Sequence, residues 1–175
     1  SNYMNRGRGP MMWKFWEPGI NWGTGNGQYD VFVMRSAEAY LIAAEAIVQG
    51  ATGGQLGGAS DYYNATVNRA IIGGQLGDAD MAADPTSLTS LATKSYRASG
   101  SVTIDMILDE RAREFMGEGL RWYDLKRTGK LIERAKAMNP WVGDLNFIQD
   151  YHQLRPIPLN EIDLSTNSVI QNPGY

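Results

Sequence analysis

Apolar side chains recur every three and four residues in a segment that starts at Ser36, which is the pattern of a helix with one buried face. The residues on this face are Ala37, Tyr40, Leu41, Ala44, Ile47 and Val48. Ser36 is a residue type that caps a helix start, and Gly50 can end a helix in the left-handed conformation. The pattern therefore predicts a first helix between these two residues.

The same periodicity predicts two more long helices, at about 60–72 and about 103–116. Their predicted inward residues are Tyr63, Val67, Ala70 and Ile71 in the second helix, and Ile104, Ile107, Leu108, Ala112 and Phe115 in the third. Gly73 and Gly74 are expected to stop the second helix. A loop rich in Asp, Ser and Thr separates the two helices at 78–101.

Two shorter helical segments follow, and Asn139 and Pro140 are expected to close the second of them. The first is marked by Trp122 and Leu125, and the second by Leu131, Ile132, Ala135 and Met138. The chain after them has no period, and two prolines make 155–158 extended.

The start of the chain also lacks a helical period, and 12–16 and 29–33 alternate loosely enough to be extended segments. The sequence therefore divides into an aromatic loop segment at 1–35, a helical region at 36–138 and an irregular tail at 139–175. We predict a mostly α fold with tetratricopeptide-like helical hairpins and long irregular loops.

Composition narrows the class of protein. The 175 residues are 43% hydrophobic and 20% charged, as in globular folds, and the net charge of −3 argues against binding of nucleic acid through its phosphates. The chain has no cysteine and no apolar run of about 18 residues that could span a membrane. Its first residues do not form a signal peptide, and we expect the chain to be a piece of a larger protein.

A cluster of four carboxylates, Asp109, Glu110, Glu114 and Glu118, is the first candidate for chemistry. Glycoside hydrolysis needs two carboxyl groups that face each other across a substrate, and Glu110 and Glu114 lie one helical turn apart. However, Arg113 lies four residues after Asp109, a spacing at which opposite charges pair on a helix surface. We therefore interpret the cluster as structural and predict no catalytic residues.

Three other motifs are each better explained as loops. The glycine-rich 23–28 lacks the Lys-Ser/Thr of a phosphate loop and the following helix of a dinucleotide site. Asp78, Asp80 and Asp84 lack the glycine and glutamate positions of an EF-hand, so no metal site is predicted. The single histidine, His152, has no evident acidic partner or nucleophile elbow.

Aromatic side chains beside loops are the strongest candidates for ligand binding. These are Trp22 and Tyr29, followed by Trp13, Trp16 and Trp141. Sugar rings stack their apolar C–H faces on flat aromatic rings, while amides such as those of Asn21 and Asn26 bind hydroxyl groups. For Trp13 and Trp16 the alternative is that they pack in the core.

Three motifs together resemble the C-terminal region of the SusD/RagB family. They are RSAEAYLIAAEA at 35–46, ILDERAREFMGEGLRWYDLKRTGKL at 107–131 and LRPIPLNEIDLSTNSVIQNPGY at 154–175. In this resemblance the middle motif is a scaffold that joins two helices and a turn. The residues of the motif that are expected to form this scaffold are Arg111, Glu114, Arg121, Trp122, Asp124 and Arg127.

The resemblance implies a protein without catalytic activity or cofactor. It would bind oligosaccharides, or peptides in the RagB branch, on the outer face of the outer membrane and pass them to a SusC-like TonB-dependent barrel transporter. A lipid anchor outside this chain would hold it to the membrane. Two alternatives from other classes are a tetratricopeptide adaptor for protein partners and a glycosidase that uses Glu110 and Glu114.

Overall fold

The computed structural model describes residues 13–15, 17, 19, 27, 30, 32–75, 96–143 and 147–175. The chain divides into two compact units, 1–34 and 35–175. In the first unit, Trp13–Phe15 form one turn of 3-10 helix, where the sequence suggested an extended segment.

The second unit is helical, and its helices are numbered here in chain order. They are α1 (Ser36–Val48), α2 (Ala59–Gln75), α3 (Ile104–Glu114), α4 (Arg121–Arg127), α5 (Leu131–Met138), α6 (Pro140–Gly143) and α7 (Leu159–Leu164), with a 3-10 turn at Asp150–Gln153. The described part of the chain contains no β-strand. The prediction of a mostly α fold is confirmed.

Helix ends agree with the sequence where a local signal decides them. The Thr103 hydroxyl accepts a hydrogen bond from the Met106 N–H at 3.2 Å and caps α3, and Gly50 follows α1 with a φ of 101°. Ser36, however, is the first helical residue, and Arg35 occupies the cap position, where its side chain does not bond to the helix N-terminus.

The predicted stop of α2 at Gly73 and Gly74 is wrong, because the helix continues to Gln75. Glycine in a helix interior costs about 1 kcal/mol relative to alanine, but it keeps its N–H and C=O and therefore does not break the hydrogen-bond pattern.

The first of two cores lies between α1, α2 and α3, and α1 and α2 make the most extensive helix contact among the described residues. Its buried members are Ala37, Leu41, Ala44, Tyr63, Val67, Ala98, Val102, Ile107 and Phe115. The Tyr63 hydroxyl donates to the Tyr96 carbonyl at 3.0 Å, so its one polar atom is satisfied. Tyr40 and Ala70, predicted to face inward, are exposed, although the Tyr40 ring lies 6.2 Å from that of Tyr62 on α2. The side chain of Ile71, also predicted to face inward, lies outside the described residues.

The second core joins α3 to α4 and α5. Leu108, Leu125, Leu131 and Ile132 are buried there, with Ile104, Trp122 and Ile148 packed against them. The neighbours Ile107 and Leu108 point into different cores, so α3 is the element that both cores share. Met138, one of the residues that mark this segment in the sequence, is exposed at the last position of α5.

None of the described helices is long and apolar enough to cross a membrane.

Candidate functional site

The two carboxylates that a glycosidase would need are both engaged by arginines. Arg113 donates from Nε and Nη2 to the buried Glu110 at 2.9 and 2.7 Å. Arg35 donates to Glu114 at 2.7 Å, and Arg69 forms a further ion pair with the same carboxylate. These oxygens bind guanidinium groups, and both carboxylate side chains are less than 10% exposed, as expected of carboxylates that join structural elements.

A buried network of charged side chains connects α1, α3 and α4. Arg111 donates to Asp124 at 2.7 Å and to Glu38 at 3.3 Å, and its side chain is only 3% exposed. Arg127 pairs with Asp124 at 3.3 Å and donates from Nη2 to Glu45 at 2.7 Å. Buried charges are tolerated when they are paired, and here the buried Arg111, Asp124 and Glu45 each have a partner on another helix, so the pairs join the three helices.

The remaining charges of the middle motif pair differently from the sequence expectation. Arg113 binds Glu110, three residues before it, and not Asp109. Asp109 instead forms an ion pair with Arg134 of α5, which also binds Asp105 at 2.9 Å. Spacing along the helix correctly indicated that Arg113 pairs within α3, but it gave the wrong carboxylate. The partner of Asp109 is Arg134 on α5, which spacing within α3 cannot reveal.

The turn between α3 and α4 depends on two glycines and one arginine. Gly117 and Gly119 have φ angles of 84° and 79°, so both adopt the left-handed backbone that glycine accepts more readily than other residues. Arg35 donates to Glu118 at 2.8 and 3.1 Å, which fixes the turn to the start of α1. Its guanidinium also lies 5.0 Å from the centre of the Phe115 ring.

Acid is expected to weaken this network through Glu45. A hydrogen bond from Arg127 lowers the pKa of Glu45 below its ordinary value of 4.5. A carboxyl whose pKa is lower in the folded state stabilises the fold above the unfolded-state pKa, and this contribution is lost as pH falls through the folded-state pKa. The stability difference between the wild type and Glu45→Gln should therefore be largest near neutral pH and shrink below pH 4.5.

Urea unfolding between about pH 7 and pH 3 measures this difference. Glu133→Gln is the matched control, because Glu133 is exposed and pairs only with Lys130 among the described residues. A difference for Glu45→Gln that stays constant as the pH falls would contradict the prediction.

The closing motif holds the proline-containing segment by side-chain amides. Gln171 accepts from the Ile157 N–H at 2.7 Å and donates to the Ile157 carbonyl at 2.9 Å, as a neighbouring strand would. Asn172 donates to the Arg155 carbonyl at 2.7 Å, and the Tyr175 hydroxyl donates to that of Leu154 at 2.8 Å. These four bonds give the irregular tail a defined conformation.

The tail also contacts the middle motif directly. The Arg155 guanidinium lies 5.4 Å from the centre of the Trp122 ring, and Trp122 itself packs against the second core. Arg121 donates to the Leu108 carbonyl at 2.6 Å beside this contact. The first motif binds the middle one through ion pairs, and the last binds it through stacking, so the three motifs form one connected scaffold.

Gly174 is expected to be the least replaceable residue of this tail. Its φ is 95°, and a methyl group there would lie 2.6 and 2.8 Å from two carbons of the Tyr151 ring. Gly174→Ala should therefore speed hydrogen exchange at the Ile157 N–H by at least about tenfold, because strain of about 1–3 kcal/mol would loosen the amide contacts. Gly100→Ala is the control, since Gly100 has no atom within 4 Å of the added position. Equal exchange in both variants would contradict this.

Only one of the five aromatic ligand candidates can be placed by its side chain. Trp16, Trp22 and Tyr29 lie outside the described residues, and for Trp13 only the backbone turn is described. Trp141 lies in α6 with 70% of its surface exposed. The three aspartates of the 78–101 loop, and all of 23–28 except Gly27, also lie outside the described residues.

His152 has a structural partner that the sequence did not indicate. Its Nδ1 accepts from the Gln149 N–H at 2.8 Å, and its ring lies 4.2 Å from that of Tyr151. It therefore caps the 3-10 turn Asp150–Gln153.

Sequence reasoning also missed the acidic partners on α1, although a signal exists. Glu38 and Glu45 lie three residues before and four residues after the fully buried Leu41, so all three share one helix face. Acidic residues within an apolar face require basic partners from elsewhere in the fold.

The connected motifs lead to a comparison with known proteins. The model of the SusD family matches residues 1–175, the whole of this chain. The chain belongs to the SusD family. Its ion pairs and amide contacts are thus the interactions by which this SusD-family chain holds its family motifs together.

Two relatives illustrate the similarity. The chain is 33% identical over 143 residues to SusD-like protein P2 of Formosa agariphila. This alignment covers 81% of the chain and 25% of that protein. It is 31% identical over 149 residues to the starch-binding protein SusD of Bacteroides thetaiotaomicron. That alignment covers 83% of the chain and 22% of the relative. The chain thus spans about a quarter of the length of these relatives.

Proposed function

We propose that this protein binds oligosaccharides or polysaccharides at the cell surface and delivers them to a SusC-like TonB-dependent transporter of the outer membrane. Membership of the SusD family, which the match over residues 1–175 establishes, is the observation that carries the proposal. The name of one relative, a starch-binding protein, supports a glycan as the ligand class.

The charge arrangement supports binding without catalysis. An inverting or retaining glycosidase needs one carboxyl group that can give a proton to the leaving oxygen. Glu110 and Glu114 are held by arginine side chains and shielded from water, which suits carboxylates that join helices. The proposed binding function requires no cofactor and no metal.

The ligand is proposed to stack on aromatic side chains. Trp22 and Tyr29 are the first candidates, and Trp13 and Trp16 follow, because tryptophans that flank a glycine-rich loop supply flat apolar faces beside polar groups. Trp141, on α6, belongs to the same set.

The cellular setting is proposed from the family. The protein would lie on the outer face of the outer membrane, attached through a lipid anchor outside this chain. We further propose that the chain is the C-terminal region of a larger protein, with the aromatic segment at 1–35, the helical region at 36–138 and the tail at 139–175.

Binding measurements on the intact protein, including any sequence that flanks this chain, test the proposal. Affinity electrophoresis against soluble starch, xylan, laminarin and pectic galactan, followed by isothermal titration, should identify a bound glycan. Reducing-sugar release should stay at background, and Glu114→Gln should not change it. Binding of peptides but no glycan would favour a RagB-type lid, and binding of neither would overturn the proposal.

A further inference from the structure

The 3-10 turn Asp150–Gln153 is capped by a histidine at a position where helices often have glutamate or glutamine. Gln149 is the cap residue of this turn, and His152 lies three residues after it. In a capping box, the side chain at this third position accepts a hydrogen bond from the N–H of the cap residue. Here Nδ1 of His152 accepts from the Gln149 N–H at 2.8 Å. The capping acceptor of this turn is therefore a group that can take up a proton.

This hydrogen bond exists only while the imidazole is neutral. A neutral ring has one nitrogen with a proton and one that accepts, so the accepting Nδ1 places the proton of His152 on Nε2. A protonated ring carries N–H groups at both nitrogens and has no acceptor. Histidine is the side chain whose charge ordinarily changes between about pH 8 and pH 5. Protonation of His152 would therefore leave two N–H groups facing each other.

The turn supports the closing motif. Tyr151 belongs to the turn, and its ring lies 4.2 Å from the His152 ring and 5.3 Å from the Tyr175 ring. The backbone of Gly174 lies against the Tyr151 ring, where an added methyl group would overlap the ring. The Tyr175 hydroxyl donates to the carbonyl of Leu154, the residue directly after the turn, at 2.8 Å. A change in the turn therefore reaches both ends of the closing motif.

The charged groups around the turn leave His152 without a carboxylate partner in the described part of the chain. Asp150, in the turn itself, is exposed and forms no ion pair there. Helix α5 packs against the turn, and its charged residues are Glu133, Arg134 and Lys136. Glu133 pairs with Lys130, and Arg134 pairs with Asp105 and Asp109. None of these carboxylates therefore favours the charged form of His152 through an ion pair.

Aromatic rings are the other neighbours of the imidazole. Besides the Tyr151 ring, the Tyr175 ring lies 6.1 Å from that of His152, edge to face. Stacking on a tyrosine ring favours a charged imidazole to some degree. It does not restore the acceptor for the Gln149 N–H, so the cap is lost on protonation all the same.

We propose that the hydrogen bond between His152 and the Gln149 N–H is a pH-sensitive clasp, and that protonation of His152 opens the turn and loosens the closing motif. The closing motif contacts the middle motif through Arg155 and Trp122, so this contact weakens with it. The clasp is independent of the ligand that the protein binds.

Hydrogen exchange of the intact protein at about pH 7.5 and about pH 5.5 tests the clasp, with each rate divided by the intrinsic exchange rate at that pH. Protection of the Gln149 and Ile157 N–H groups should fall about fivefold from the higher to the lower pH, the loss expected for one hydrogen bond. Both pH values lie above 4.5, the ordinary pKa of the Glu45 carboxyl, so the acid effect predicted for Glu45 does not interfere.

His152→Gln is the matched variant, because glutamine at this position accepts from the N–H of the cap residue at either pH. It should keep both N–H groups protected at both pH values. His152→Ala removes the acceptor and should reduce protection at both. The Ala98 N–H, which donates to the Asn64 side-chain oxygen at 2.9 Å in the first core region, is the internal control and should not change with pH.

Several outcomes would overturn the clasp. One is wild-type protection that is the same at both pH values. Another is a fivefold loss that persists in His152→Gln, because a different group would then be titrating. An equal loss at the Ala98 N–H would also contradict it, since the whole fold would be responding to acid. Full protection in His152→Ala at about pH 7.5 would mean that the cap does not hold the closing motif.

Discussion

Asp124→Ala is expected to lower the free energy of unfolding by about 3–5 kcal/mol, the usual result of removing one partner from a buried ion pair. Asp124 accepts from Arg111 at 2.7 Å and from Arg127 at 3.3 Å, and its side chain is only 5% exposed. Without it, the buried Arg111 guanidinium keeps one longer ion pair among the described residues, with Glu38 at 3.3 Å, and its position 5.0 Å from the centre of the Phe115 ring. The cost is that of a desolvated charge without its main partner. Urea unfolding of the intact protein measures the change.

A double variant separates lost pairing from lost packing. Arg111→Met combined with Asp124→Ala removes the orphaned charge, so it should recover part of the stability that Asp124→Ala loses. Glu133→Ala is the surface control, because Glu133 is exposed and pairs with Lys130 at 3.1 Å; its effect should stay below about 1 kcal/mol. A similar small effect for Asp124→Ala would mean that the network adds little to stability.

Ile107→Ala should destabilise the protein by about 2–5 kcal/mol, since it removes buried methyl groups and leaves a cavity. Ile107 is fully buried in the first core, on the helix that both cores share. The neighbouring Leu108 in the second core prevents α3 from moving freely to fill the gap. The size of the loss depends on how far α1 and α2 can collapse around it.

Ile42→Ala provides the comparison, because Ile42 is also an isoleucine in a helix but is 47% exposed. Its loss should be below about 1 kcal/mol. If the two variants unfold at the same urea concentration, the assignment of Ile107 to a packed core is wrong.

Much of the helical framework follows from local pattern alone. The apolar face of α1 and the Thr103 cap of α3 depend on neighbouring residues, and so they can be identified without tertiary information. The left-handed glycines Gly50, Gly117 and Gly119 are local in the same way. The errors arise where the local signal is weak, as at Gly73 and Gly74 within α2, or where exposure depends on other elements, as at the exposed Tyr40.

The candidate ligand site can be predicted only in part from the sequence. The sequence identifies aromatic residues beside polar ones, but it cannot distinguish a core tryptophan from an exposed one. For Trp141 the structure decides this question, because 70% of its surface is exposed. For Trp22 and Tyr29 the assignment to a ligand site stays a prediction.

The sequence by itself determined the mostly α character of the protein, its family and the structural interpretation of its charged motif. Periodicity is a local property, and three ordered motifs are a specific family signature. Only the tertiary structure decided which charge pairs with which. Arg127 lies 82 residues from Glu45, and Arg35 lies 79 from Glu114, yet both pairs are formed. Such partners depend on the angles at which distant helices pack, and no spacing along the chain encodes them.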